Sequence, residues 1–212
     1  MLNQKAADFI LFKRVVELMK NKEHLSIEGL QKIINIKASM NLGLSDILKS
    51  ELSKITPVER PIIITNNIPD ANWVSGFTTG EGNFDVRISK SKSVKIGYYV
   101  TLRFIIYQHE RDIKLIELLI KYLGAGKLEK HPSNPIVNLT INKISVISKI
   151  IIPYFEQTHL FGVKQLNCVD WCKIVKLMNE GSHLTIEGLA LIRQIKSKMN
   201  KVESKKIFLI AW

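Results

Sequence analysis

Cysteine is scarce in this chain: Cys168 and Cys172 are the only two in 212 residues. They stand four apart on what reads as one helix, with no second pair to complete a zinc site. Both read as packing or surface residues of a reducing compartment. Long apolar runs are missing too. "KIIIPYF" and "RPIIIT" fall far short of the roughly 18 residues that span a bilayer, so the chain is not expected to cross a membrane. The start, "MLNQKAADFILFK", lacks a charged segment followed by a long apolar core, and does not read as a secretory signal. Negative charge is in short supply: 19 Asp and Glu stand against 31 Lys and Arg, giving a net charge of +12. A basic chain of this kind points first to nucleic acid and second to an anionic membrane surface, with a merely solvated basic surface as the plain alternative. At 46% hydrophobic and 24% charged, the composition is that of a globular protein, long enough for one or two domains with a real core.

What is present is a repeat. Residues 15–41 read "VVELMKNKEHLSIEGLQKIINIKASMN" and residues 174–200 read "IVKLMNEGSHLTIEGLALIRQIKSKMN", with 14 of 27 positions identical at a constant offset of 159. The match reaches back to Lys5, which falls on Lys164. A unit of about 159 residues cannot occur twice in 212. The expected organisation is therefore 1–52, terminal helices of an incomplete first repeat; 53–69, a connector marked by "ITPVERP" and "NNIPD"; 70–200, one complete repeat; and 201–212, a tail. Helical spacing of Phe9, Phe12, Val16 and Met19 predicts a helix over 6–20. Ser26 and Thr185 are expected N-caps of the paired "IEGL" helices. Lys37 and Lys196 recur at equivalent positions and read as helix surface before DNA contact.

The complete repeat opens on "WVSGFTTGEGNF". Asp70 or Asn72 can cap a helix from Trp73 to about Thr79, in which Gly76 costs about 1 kcal/mol relative to alanine. "NFDVRISKS" and "YYVTLRFIIYQ" alternate with period two and predict a hairpin joined by the basic loop "SKSVKIG". "RDIKLIELLIKYLG" predicts an amphipathic helix ended by Gly124. "GKLEKH" and "PIVNLTI" predict a second hairpin, and "KISVISKIIIPYF" a helix stopped by Pro153. The order is αββαββα, an α+β fold with one four-stranded antiparallel sheet and helices on its apolar face. The opposite face would carry Asp85, Arg87, Ser89, Tyr99, Thr101, Arg103, Lys127, Glu129, His131, Asn138 and Thr140, which together with Lys130 are the candidate DNA contacts. Such a mixed, basic-rimmed face suits base-edge reading by a β-ribbon in the major groove, or is simply the polar face of a half-buried sheet.

"WVSGFTTGEG" followed by ββαββα resembles the LAGLIDADG homing endonucleases. Val74 to Gly82 lie on the nine motif positions, with Gly76 on the first glycine, Glu81 on the acidic residue and Gly82 on the last glycine. "QHERD", "YLGAGKL" and "LFGVKQ" also look like family segments. The paired "HLSIEGL" and "HLTIEGL" are similar to single-chain, two-repeat members from fungal mitochondrial introns. The resemblance implies a homing-endonuclease-like half-saddle that cleaves double-stranded DNA with Mg²⁺ or another divalent cation. It assigns Glu81 and the Gly80 carbonyl to the metal, Val74, Gly76 and Phe77 to packing against a twin motif helix, and Gln108 and Lys164 to the catalytic surroundings. Arg111 is a weaker candidate, and Lys5 is the repeat equivalent of Lys164. Organelle encoding implies a mitochondrial location without a targeting peptide.

The sequence departs from the two-motif pattern. Only one G-x-x-x-x-[DE]-G stands in it, Gly76 to Gly82. The expectation is half an active site, completed by a partner carrying the first motif, by self-association, or by upstream sequence in frame. An intron RNA-splicing maturase, or a DNA-binding module without cleavage, is the alternative.

Overall fold

The computed structural model describes residues 3–52, 54–64 and 66–199. The residues expected to form a tail lie outside that range. The chain divides into two compact units, Met1–Asn66 and Asn67–Trp212.

The first unit contains α1 (Lys5–Lys20), a 3-10 turn (Glu23–Leu25), α2 (Ile27–Ala38) and α3 (Asp46–Glu51). Ala7 and Leu11 are its buried anchors, with the Asp8 carboxylate accepting from Arg60 and from the Asn41 amide. The expected apolar stripe of α1 faces outward instead: Phe9, Phe12, Val16 and Met19 are all exposed. Ser26 caps α2 by accepting from the Gly29 amide at 3.0 Å. Gly29 cannot be replaced quietly, because a Cβ there would overlap the Glu23 carbonyl.

The second unit runs α4 (Ala71–Glu81), β1 (Gly82–Lys90), β2 (Tyr98–His109), a 3-10 turn (Glu110–Asp112), α5 (Ile113–Leu123), β3 (Lys127–Lys130) and β4 (Ile136–Ile141). It continues through α6 (Ile144–Val146), a π-helical turn (Ile147–Ile151), α7 (Ile152–Gln157), α8 (Gly162–Asn179), a 3-10 turn (Ser182–Leu184) and α9 (Ile186–Lys196). The strands form one antiparallel sheet in the order β1-β2-β4-β3. The fold is thus α+β, with the αββαββα order that the alternation patterns predict. Pro153 does not stop its helix. A proline removes one N–H and crowds the carbonyl four residues back. The π turn over Ile147–Ile151 widens the helix ahead of it, so the chain continues helical to Gln157.

Phe84 and Val86, Val100, Leu102, Phe104 and Ile106, and Val137, Leu139 and Ile141 point from the sheet into the core. Phe84 meets Phe104, Phe155 and Trp171 with ring centroids 5.4, 5.8 and 5.3 Å apart. Leu115, Ile116, Leu119 and Leu123 of α5 close the core, and Gly124 caps that helix at φ 65°. Cys168 is buried and Cys172 half-buried on α8, both as free thiols.

Candidate active site and nucleic-acid interface

The site starts from α4. The Asp70 carboxylate accepts from the Trp73 amide at 2.9 Å and starts the helix. The helix runs two residues past the expected end, so Glu81 is its last residue and β1 begins at Gly82 without a loop. Gly82 allows that junction: a Cβ there would lie 2.5 Å from Thr78 Cγ2 and 2.6 Å from the Thr78 carbonyl oxygen. Val74, Ser75 and Thr78 form the buried face. Ser75 Oγ lies 2.8 Å from Thr158 Oγ1 and donates to the Thr158 carbonyl. Tyr154 donates its hydroxyl to the Ala71 carbonyl at 3.0 Å, and burial pushes that phenol well up, keeping the donor protonated. The helix is therefore held from the α7 side.

Its other face is open. Asn72, Gly76 and Gly80 are exposed, and a Cβ added at Gly76 or Gly80 would meet nothing within 4 Å. Trp73 and Phe77 stack along the edge of this stripe, with centroids 4.9 Å apart. Val74 does not belong to it. Expected as twin-helix packing, it is fully buried within its own unit, because the helix turns that side toward its own sheet and α8.

Lys164, 82 residues downstream, reaches the end of the motif helix: its Nζ donates to the Gly82 carbonyl at 2.7 Å. Glu81 is half-buried one residue away from that carbonyl. A helix C-terminus also gathers carbonyl oxygens with partial negative charge. Carboxylate and carbonyl oxygens are the donors that Mg²⁺ and Ca²⁺ take. Among the described residues, no three His, Cys, Asp or Glu side chains gather to hold an ion. The donor chemistry at Glu81 and Gly80 thus fits part of a hard-cation coordination sphere. Gln108 lies two residues beyond Ile106, the partner of Gly82, and pairs with Val137; it is buried, on the helix-covered side of β2. Arg111 is exposed in the turn after β2, 3.9 Å from Asp112.

The polar face of the sheet gathers most of the residues expected there. Register places Asp85 opposite Arg103, Arg87 opposite Thr101 and Ser89 opposite Tyr99. Lys127 pairs with Thr140 and Glu129 with Asn138, while His131 continues the same parity at the strand end. Lys130 is the exception. It pairs with Val137, so its strand parity is that of the core-facing residues. Thr140 is buried rather than presented, and its hydroxyl bonds to Asn138 and Glu129. Several residues on this face escaped the sequence reasoning, His109 among them. Asn83 and Tyr107 share its parity and could have been found by carrying the alternation one step further along each strand. Tyr107 is exposed beside Asn138.

A helix that ends in one acid beside a lysine, mounted on a four-stranded sheet with a polar outer face, is the half-saddle architecture of the homing endonucleases. The sequence pattern of the LAGLIDADG endonuclease family matches residues 74–175. The LAGLIDADG homing endonuclease I-SmaMI, solved bound to cleaved DNA, superposes with a TM-score of 0.90 at 45% identity, covering 95% of this chain and 67% of that one. The I-LtrWI LAGLIDADG homing endonuclease, solved bound to target DNA, gives a TM-score of 0.87 at the same identity. The chain belongs to the LAGLIDADG endonuclease family. It is also similar to probable intron-encoded endonuclease 3 of Neurospora crassa, 51% identical over 89% of this chain and 36% of that protein. Probable intron-encoded endonuclease 2 of the same fungus is 34% identical over 94% of this chain and 45% of that one. The chain therefore spans less than half the length of these two curated relatives. I-SmaMI has also been solved as a double lysine-to-alanine mutant. The two replaced lysines stand as far apart in its sequence as Lys5 and Lys164 do here.

Proposed function

We propose that this chain is one half of a site-specific, intron-homing DNA endonuclease. It hydrolyses phosphodiesters once a second motif helix, from a partner chain, a second copy or a longer polypeptide, lies against α4. The observation that carries this reading is the open Asn72–Gly76–Gly80 stripe ending at Glu81, with Lys164 beside it. A stripe without Cβ atoms lets a second helix backbone approach closely. Glu81 and the Gly80 carbonyl would hold a divalent cation together with an acid from the second helix. When bound, such a cation activates water and neutralises charge on the scissile phosphate. Lys164, fixed by the Gly82 carbonyl, places its ammonium where it offsets phosphate charge. Gln108, buried two residues beyond the strand partner of Gly82, is the polar group assigned to the water or metal of the same site. The polar sheet face contacts double-stranded DNA. The intron-encoded fungal relatives, and a more distant Saccharomyces cerevisiae protein described as mitochondrial, 22% identical over 61% of this chain, support a mitochondrial location.

The repeat supports the need for a second half independently. Cys168, Trp171 and Val175 of α8 are 6%, 0% and 1% exposed under the sheet. Their equivalents on α1, Phe9, Phe12 and Val16, are 50%, 53% and 45% exposed. The same apolar pattern is thus covered once and open once, and a second αββαββ segment would cover the open copy.

The test is reconstitution. With Mg²⁺ and target DNA, the chain joined to or mixed with a second motif-bearing unit should cut both strands; efficient double-strand cleavage by a strict monomer of this chain sinks the proposal. Gly76→Ala separates folding from pairing. Alanine has open space there and should stabilise the isolated chain by about 0.5–1 kcal/mol, as in any exposed helix interior. The same methyl should weaken assembly with the second unit, read by analytical ultracentrifugation. Unchanged assembly would remove the helix-pairing role of this face.

A further inference from the structure

Two hydrogen-bond clusters of opposite polarity stand ready on the polar face of the sheet. At the β1–β2 end, a single oxygen of Asp85, Oδ2, accepts from Arg103 Nε at 2.9 Å, Arg103 Nη2 at 2.6 Å and Arg87 Nε at 3.2 Å. Arg103 is the more buried of the two arginines, with its side chain 20% exposed against 60% for Arg87. Arg87 is gripped through Nε, which leaves it both terminal Nη groups. A guanidinium steered this way presents a two-pronged donor edge, which matches the O6 and N7 acceptors of guanine.

At the β3–β4 end the polarity is reversed. Glu129 Oε2 accepts from Asn138 Nδ2 at 3.0 Å and from Thr140 Oγ1 at 2.9 Å. Asn138 Nδ2 gives its other hydrogen to Thr140 Oγ1 at 2.7 Å. The ring closes in one orientation only. A carboxylate cannot donate, so the amide must turn its NH₂ toward it; the threonine hydroxyl has one hydrogen, given to Glu129, and so must accept from Asn138. Both amide hydrogens of Asn138 are then used. An asparagine reads adenine by accepting from N6 and donating to N7. Asn138 has no hydrogen left for N7 and offers its Oδ1 acceptor beside a carboxylate.

Resting on the DNA-binding reading above, we propose that these clusters set the base preference at two positions of the target. Arg87, steered by Asp85, selects guanine. The Glu129–Asn138–Thr140 ring selects an exocyclic amino group on the strand it faces: cytosine N4 first, then adenine N6, whose neighbouring N7 acceptor would meet the Glu129 carboxylate. Guanine and thymine, which offer only acceptors in the major groove, are rejected there. Asp85 and Thr140 are positioning residues, acting through Arg87 and Asn138.

The experiment is selection of the full chain on duplex DNA randomised over two helical turns, followed by sequencing of the bound pool. The wild-type pool should carry guanine at one position and cytosine or adenine at another. Asp85→Asn and Arg87→Gln should each erase the guanine by about tenfold in discrimination while leaving the other position intact. Glu129→Gln frees the ring to reverse, so guanine and thymine should enter at the second position while the first stays. These side chains lie on the exposed face, and unchanged melting midpoints will confirm that the variants fold. A wild-type pool with guanine or thymine at the Glu129-dependent position, or preferences that none of the three variants alters, overturns the base assignment while leaving DNA binding standing. A wild-type chain that enriches no DNA overturns the DNA-binding reading itself, and this inference with it.

Discussion

Glu81→Gln should slow double-strand cleavage by the reconstituted nuclease by about 10³-fold or more while leaving DNA affinity largely intact, since metal-centred charge stabilisation is worth several kcal/mol and each 1.36 kcal/mol is tenfold in rate. The carboxamide keeps the shape of the side chain at the end of α4 but loses the negative charge that would hold a cation. Binding, in the function proposed above, comes from the basic surface and the sheet face, which the substitution does not touch. Single-turnover cleavage of a target plasmid reads the first effect, and fluorescence anisotropy on the same duplex reads the second. An E81Q protein that cuts at near wild-type rate would take Glu81 out of the active site. One that no longer binds would make it a structural residue instead. Lys164 acts on the same corner from the other side, through the Gly82 carbonyl, so its replacement should lower the rate less than loss of the acid.

Trp171→Ala is expected to have the largest effect on stability, about 3–5 kcal/mol, the range for removing a buried tryptophan ring from a core. The ring is fully buried against Phe84, and its indole N–H donates to the Asp85 carbonyl at 3.1 Å. Domains of this size are stable by about 5–15 kcal/mol, so the variant should be at the edge of folding at 37 °C. Chemical unfolding followed by circular dichroism measures the loss. The same indole fixes the backbone of β1 beneath Asp85, which in turn holds Arg87 and Arg103. A core substitution should therefore disturb the recognition face even under conditions where the unit still folds. Phe12→Ala, at the repeat-equivalent position of α1, makes the contrast. Its ring is 53% exposed, and its loss from the chain alone should stay within about 0.5 kcal/mol, as for other surface positions. A comparable loss at both positions would mean that α1 already has its cover.

Much of the site was legible because its parts are local. A thirteen-residue stretch, Asp70 to Gly82, carries the capping acid, the helix, the glycines and Glu81, and capping and glycine geometry are short-range physics. Ser26 and Thr185 were readable as caps for the same reason, and both accept from the amide three residues on. Period-two alternation placed Arg87, Arg103 and Asn138 on one sheet face, since side chains in a strand must alternate. Other features depend on what meets across the fold. Helical spacing shows that α4 has two dissimilar faces, yet Val74 is buried and Gly76 open only because its own sheet and α8 take one side. The π turn ahead of Pro153 arises where the helix stays packed on the core despite the lost N–H. The Glu129–Asn138–Thr140 ring needs the β3–β4 register, which no single strand contains.

The sequence by itself determined the family, the order of the elements, the acid and the repeat, because each is written in local pattern or in self-similarity. Only the tertiary structure decided which apolar stripe is covered, that Lys164 sits at the end of the motif helix, and that Asp85 and Glu129 set the polarity of their neighbours. Those outcomes rest on pairings between residues far apart in the chain, where burial and register, rather than residue type, settle what a side chain can offer.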